Sequence, residues 1–372
     1  MPASETKKTG MKGIKTEELV RRYFLQAGFY VCRGMTLSYD GDDITDIDVW
    51  IYERSATLAR RRIIIDIKDK AKPQAAERML FVLGLAQLIG VEGGGVATTD
   101  KRKGLRELAR KQKLLWIDGE DIQRLKKSSA LSQVDRISEE ELLQKLTEID
   151  KSRGPKQYLS LYQSAKSSLG DRFGVSSGNF CLDATLMAAH ATTRAHPNST
   201  QADSLCRLTY QLAGMCAASF DYASAETALR PAEERHSHIT QAIKFGADAK
   251  SMRERVTWME DAISRYAEGG SSVAKLVTRR VLESGPGDEA RTLAEVITAL
   301  SHDHRLFDAA RGLEGAAFSS FPVTMRELST ASASALGAIL DYGEIDRRAF
   351  AGSITKNQPQ AVQEAPNGGT LL

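Results

Sequence analysis

Two short runs, Asp46-Ile47-Asp48-Val49-Trp50-Ile51 and Ile63-Ile64-Ile65-Asp66-Ile67-Lys68, alternate at period two on either side of a polar insert. That pattern predicts a β-hairpin, because successive side chains on a strand point to opposite faces. It puts Ile47, Val49 and Ile51 on one face of the first strand, with Asp46, Asp48 and Trp50 on the other. On the second strand Ile63, Ile65 and Ile67 share a face, and Ile64, Asp66 and Lys68 take the opposite one. With both isoleucine rows turned to the core, Asp48, Asp66 and Lys68 converge on one side. A lone charge on a strand is usually a solvated residue. Two carboxylates and an amine in matched phase form a site.

The residue types define its chemistry. Mg²⁺ takes hard oxygen ligands, commonly one or two carboxylates together with phosphate oxygens and waters. Asp48 and Asp66 supply carboxylates, the backbone carbonyl of Ile67 a third donor, and Mn²⁺ is expected to substitute. A cation held this way lowers the pKa of bound water and polarises a phosphate. Lys68 is placed to orient the attacking water or to steady charge in the transition state.

The constellation resembles the PD-(D/E)xK nuclease superfamily, the restriction-endonuclease-like fold, and within it the Mrr-like and Holliday-junction-resolvase-like branches. Asp66-Ile67-Lys68 matches the second half of the motif and Asp48 the isolated upstream aspartate. Gly13 and Glu17 fit the Gly-x-x-x-Glu pattern of the opening helix, and Ala27-Gly28-Phe29-Tyr30-Val31 its helix-to-strand turn. Gly95 to Thr99 and Leu114 to Gly119 look like the last two strands, so the likeness covers about residues 11 to 127. It departs at Ile47, where the family has proline, and at Asp66, where glutamate is commoner. The resemblance implies a Mg²⁺-dependent DNA endonuclease in restriction, genome defence or repair, with Glu17, Asp48, Asp66 and Lys68 as its catalytic set. A structure-specific resolvase and a nonenzymatic DNA-binding or assembly protein on the same fold are the alternatives. Intact carboxylates favour the enzyme.

Charge points to the same partner. Of 51 Lys+Arg and 48 Asp+Glu, residues 1–130 hold 25 and 18, a balance of +7, leaving 26 and 30, or −4, for the rest. A basic front half suits a polyanion, since cations on phosphates release counterions. Arg60-Arg61-Arg62, Lys101-Arg102-Lys103 and Lys126-Lys127 are the clusters, and Lys101 to Lys103 the candidate DNA contact. The acidic half fits a protein partner or self-association instead. Cys32, Cys181, Cys206 and Cys216 have no metal spacing or disulfide framework, which predicts a reducing, cytoplasmic setting. No apolar segment follows the N-terminal lysines, and the longest apolar run, Met79 to Val91, is too short to span a bilayer. A membrane partner is not expected.

Punctuation divides the chain. Residues 1–10 read as a flexible start and 11–127 as an α/β domain, a mixed sheet flanked by helices. Within it the order is helix, three strands, helix, strand, helix, strand, helix, with Asp40-Gly41 as a turn, Pro73 opening a helix, and Gly93 to Gly95 as a flexible turn. Residues 128–155 read as a linker with one helix, opened by the capping box Ser138 to Glu141, ending before Lys151 and followed by a hinge to Pro155. Residues 156–352 are rich in alanine and leucine at helical spacing, an all-α domain for recognition or regulation, and 353–372 a disordered tail. All six histidines lie in the helical half. That removes a histidine-dependent nuclease or a zinc site from the front domain.

Overall fold

The computed structural model describes residues 16–39, 42–69, 74–132, 135–153, 157–247, 258–265, 270–283 and 287–355. Gly13, the Asp40-Gly41 turn, Pro73, Gly154, Pro155 and the tail from residue 356 lie outside them. The front half forms a five-stranded mixed sheet in the order β1 (Tyr30–Tyr39), β2 (Asp42–Arg54), β3 (Arg60–Lys68), β4 (Gly93–Thr98), β5 (Leu115–Ile117). The first three strands are antiparallel, as hairpin connections allow, and β3, β4 and β5 run parallel across helical connections. Helices α1 (16–26), α2 (Ala75–Ile89), α3 (Lys103–Lys111) and α4 (Gly119–Lys127) flank it.

Gly93, Gly94 and Gly95 belong to β4 itself, opposite Ile63 to Ile65, rather than to the turn expected before it. Close packing explains the composition. A Cβ on Gly94 would stand 2.5 Å from Val82 Cγ1 of α2, and one on Gly95 2.9 Å from Leu115 Cβ. The glycines let α2 and β5 close onto the strand.

The predicted hairpin forms, with register Val49↔Ile65 through Arg54↔Arg60. One face of the sheet buries Val49, Ile51, Ile65 and Ile67 against Val20 and Phe24 of α1 and Ile122 of α4. Ile47 departs from that face and packs with Met35 and Leu37 near Gly170. The switch occurs where β2 leaves β3, and directly across from it Gly34 takes φ +59°, a left-handed conformation that suits glycine. The opposite face is buried too. Trp50 and Tyr52 are 0% exposed, meeting Phe173, Tyr222 and Phe307 of the helical half edge to face.

That half is a bundle of α7 (Gln157–Asp171), α8 (Val175–Arg194), α9 (Thr200–Ala223), α10 (Ala232–Phe245), α11 (258–265), α12 (Gly270–Glu283), α13 (Asp288–His302), α14 (Arg305–Phe318), α15 (Thr330–Tyr342) and α16 (Arg347–Gly352). Helix α9 is buried along almost its whole length and forms the bundle's axis. Among the described residues no helix is long and apolar enough to cross a membrane. Between the halves lie the short helix α5 (Ser129–Ser132) and α6 (Glu139–Arg153), which runs past the expected stop at Lys151. The capping box forms: Ser138 N–H donates to the Glu141 carboxylate at 2.6 Å, and Glu141 N–H to Ser138 Oγ at 3.3 Å.

Buried ions stitch the halves together. Arg21 of α1, 1% exposed, reaches Glu314 of α14 at 2.7 Å and Glu139 of α6 at 3.5 Å. Glu139 also accepts from Tyr162 at 2.6 Å and Lys166 at 2.9 Å. Burial alone would raise the Glu139 carboxyl, but Lys166, Arg21 and the Tyr162 hydroxyl outweigh it and hold the pKa at about 2, against an ordinary 4.5. A carboxyl depressed on folding adds stability above its unfolded pKa and loses it as pH falls through the folded one. Wild-type protein should therefore lose roughly 3 kcal/mol from this group between pH 4.5 and 2. Urea titrations across that window test it: Glu139→Gln should start less stable at pH 7 and show a shallower acid slope.

Candidate functional site

The candidate residues meet where β2 parts from β3. The ladder between them stops at Val49↔Ile65. Just beyond it the Asp48 carboxylate takes the place of a backbone partner and accepts the Ile67 N–H at 2.6 Å. In an extended residue the N–H and C=O lie on the same strand edge. The Ile67 carbonyl is thereby directed into the gap that Asp48 occupies. Lys68 Nζ stands 3.9 Å from Asp48 Oδ2 and 3.7 Å from Asp66 Oδ1, half-buried between the two acids.

Helix α1 brings Glu17 to the same place. Its carboxyl is pushed up by burial and then by the charge of Asp48, while Arg33 pulls it back. The pairing with Arg33 of β1 is at 3.4 Å. The neighbouring Glu18 faces inward and pairs with Arg21 and Arg22 at 3.3 and 3.2 Å. One acid faces the site and the other the core, as helical geometry requires of adjacent positions. Asp48 is also pushed up, by burial first; the Ile67 N–H and Lys68 work against this and Asp66 adds to it.

Sequence reading missed Arg78. From the first turn of α2 it forks onto Asp66, Nε to Oδ2 at 2.8 Å and Nη2 to Oδ1, so both oxygens of that carboxylate are engaged. Its guanidinium also lies over the Phe81 ring, 4.1 Å from the centroid. Nothing in the local pattern marks it, because the contact depends on how α2 lies on the sheet. Among the described residues no three His, Cys, Asp or Glu side chains gather to hold a metal ion. Asp48, Asp66 and the Ile67 carbonyl are nevertheless hard oxygen donors at one point. They fit a cation that keeps much of its shell from water and phosphate, on condition that Arg78 releases Asp66.

The basic clusters fare differently. Arg60 is buried against Asp221 and Arg62 holds Glu92 at 2.8 Å, so neither is available to a polyanion. Lys101, Arg102 and Lys103 are exposed just beyond β4, whose Thr98 is level with Lys68, although Arg102 forks onto Asp100 at 2.6 Å. Lys126 reaches Asp69 at 3.6 Å, at the same end of the sheet. His236 and His302 are engaged by the Arg291 carbonyl and Arg235 rather than gathered into a metal site.

Comparisons with protein-family models, with curated proteins and with solved structures returned no match.

Proposed function

We propose that this protein is a Mg²⁺-dependent DNA endonuclease of the PD-(D/E)xK type, acting in restriction, genome defence or repair. The observation that carries the proposal is the convergence of Asp48, Asp66 and Lys68 at the point where β2 leaves β3. Asp48, Asp66 and the Ile67 carbonyl would hold a divalent cation, which would lower the pKa of a bound water and offset charge on the scissile phosphate. Lys68 orients the nucleophile against that phosphate and offsets the charge that grows on it. Glu17, tethered by Arg33, adds a third carboxylate at the edge of the site. Lys101, Lys103 and Lys126 supply a basic rim along which a DNA backbone would lie, joined by Arg102 where a phosphate displaces Asp100.

One observation favours a second reading, a nonenzymatic DNA-binding protein on the same scaffold. The Arg78 fork satisfies Asp66 without any cation. Incubation with supercoiled, linear and branched DNA, in Mg²⁺ or in EDTA, separates the two. Cleavage with Mg²⁺ alone supports the nuclease; retardation of DNA without cleavage in Mg²⁺ or Mn²⁺ overturns it.

Arg78 provides a further test. A bidentate guanidinium competes with a cation for the same oxygens. Calorimetric titration with Mn²⁺ should show Arg78→Ala binding about tenfold tighter than wild type, equivalent to about 1.4 kcal/mol of relieved competition. Equal affinity would mean that Asp66 is not a ligand.

A further inference from the structure

Arg78 has no task in the chemistry proposed above, which only requires it to let go of Asp66. It projects from the first turn of α2, whose buried Ala75, Met79, Val82 and Leu85 seat the helix on the sheet. Its backbone N–H donates to the Gln74 carbonyl at 3.1 Å. Its guanidinium lies over the Phe81 ring, one helical turn on, 4.1 Å from the centroid. Backbone and ring keep the head group beside the acids without help from Asp66.

The pair with Asp66 is placed to open. The Arg78 side chain is 25% exposed against 6% for Asp66, so the guanidinium can turn outward without unpacking the core. Arg54 and Asp221, which tie the sheet to the helical half, are both 0% exposed. Asp66 also keeps a second cation when Arg78 leaves, Lys68 at 3.7 Å. Releasing the fork therefore strands no buried charge, the outcome that makes breaking a buried pair costly.

Charge decides when it opens. Lys68 and Arg78 balance Asp48 and Asp66 one for one, and a balanced site has little pull on a phosphate. With a divalent cation on the two carboxylates the same group becomes two charges positive, and Arg78 must yield Asp66. A guanidinium takes phosphate as readily as carboxylate, through the same parallel pair of hydrogen bonds. A phosphate drawn to Asp48 and Asp66 is then the acceptor nearest to it.

We infer that Arg78 is an exchange residue, forked on Asp66 in the free protein and on the scissile phosphate of bound DNA once a divalent cation takes Asp66. The inference rests on the cation site proposed above and adds a catalytic group to it, since a guanidinium on the phosphate oxygens offsets charge that grows there as water attacks. It also couples the two ligands: Arg78 contributes to DNA affinity only when the cation is present.

The test is a binding cycle on the full-length protein and a short DNA duplex, in EDTA and in saturating Ca²⁺, with cleavage read separately in Mg²⁺. Wild type should bind the duplex roughly tenfold or more tightly in Ca²⁺ than in EDTA. In EDTA, where the arginine is spent on Asp66, Arg78→Ala should stay within about threefold of wild type; in Ca²⁺ it should bind about tenfold or more weakly. Arg78→Lys, which keeps the charge without the fork, should match wild type in EDTA and fall between the two in Ca²⁺. Equal losses in EDTA and Ca²⁺ would make Arg78 an ordinary backbone contact, and no loss in either a mere plug for Asp66. Both results overturn the inference, as does a wild-type affinity indifferent to Ca²⁺. Failure of the nuclease reading looks different: the Ca²⁺-specific loss in Arg78→Ala persists while wild type leaves the DNA uncut in Mg²⁺.

Discussion

Asp66→Ala and Lys68→Ala should each lower Mg²⁺-dependent DNA cleavage by on the order of 10³-fold, the scale on which removal of one transition-state group is felt. The effect should appear in turnover more than in DNA affinity, because the exposed rim at Lys101 to Lys103 is unaltered. Asp48 calls for a different substitution. Its carboxylate accepts the Ile67 N–H at 2.6 Å, and truncation to alanine would leave that donor unpaired at about 1–3 kcal/mol. Asp48→Asn keeps an acceptor in place and removes only the charge. Burial pushes the Asp48 carboxyl up, so holding the charged form costs the folded protein more than holding a neutral group of the same shape. Asp48→Asn should consequently melt at or slightly above wild type while losing cleavage to the same extent. A plasmid-nicking assay beside a melting curve reads both. Retained cleavage in Asp66→Ala would remove the proposed catalytic role.

The convergence of Asp48, Asp66 and Lys68 was legible because period-two alternation fixes phase, and the hairpin fixes which positions lie opposite. The parting of the strands at Asp48 was not. Alternation assumes a continuous ladder, whereas β2 ends its pairing at Val49 and sends Ile47 to the other face. Gly34, at φ +59°, sits on the neighbouring strand β1, outside the two alternating runs. Arg78 was invisible for a related reason: a helix residue that reaches back to a sheet leaves no periodic trace. Glu17 could be told from Glu18 by family-like spacing, and their opposite environments agree with that choice.

The order of elements was readable in the front half from apolar spacing and Gly or capping signals, although the start of β4 at Gly93 to Gly95 reads as a turn. What closes the second face of the sheet was not. Trp50 shares a strand face with Asp48 in the sequence pattern, which reads as a polar side. The aromatic pair Trp50 and Tyr52 was the signal that this face is covered, by residues more than a hundred positions away. Asp221 illustrates the same limit. Within Phe220 to Glu226 it looks like one more helical acid, yet it accepts from Tyr52 at 2.6 Å and pairs with Arg54.

That shared face yields the last expectation: a fragment ending near residue 130 should not fold alone, and the intact chain should unfold as one unit. Sequence spacing suggests that residues 11–127 enclose a core of their own, and one core does lie between the sheet and α1. Removing the helical half, however, strips the cover from Tyr30, Trp50 and Tyr52, each 0% exposed. At about 1.5–3 kcal/mol per large apolar side chain, those three alone represent roughly 5–9 kcal/mol. Typical domain stability is about 5–15 kcal/mol, so little remains. The cut also separates Arg21 from Glu139 and Glu314, and Arg54 from Asp221, so the fragment loses these ion pairs as well. Glu314→Ala isolates this electrostatic part within the full chain. It takes from Arg21 its nearest acid, leaving Glu18 and Glu139, and from buried Arg136 the acid it pairs with at 2.6 Å, and should destabilise the protein by about 3 kcal/mol. Denaturant titration followed by tryptophan fluorescence and by helical circular dichroism should give coincident transitions, both moved to lower denaturant in Glu314→Ala. A soluble, cooperatively folding 1–130 fragment, or two resolved transitions, would show that the sheet does not depend on the helices that cover it.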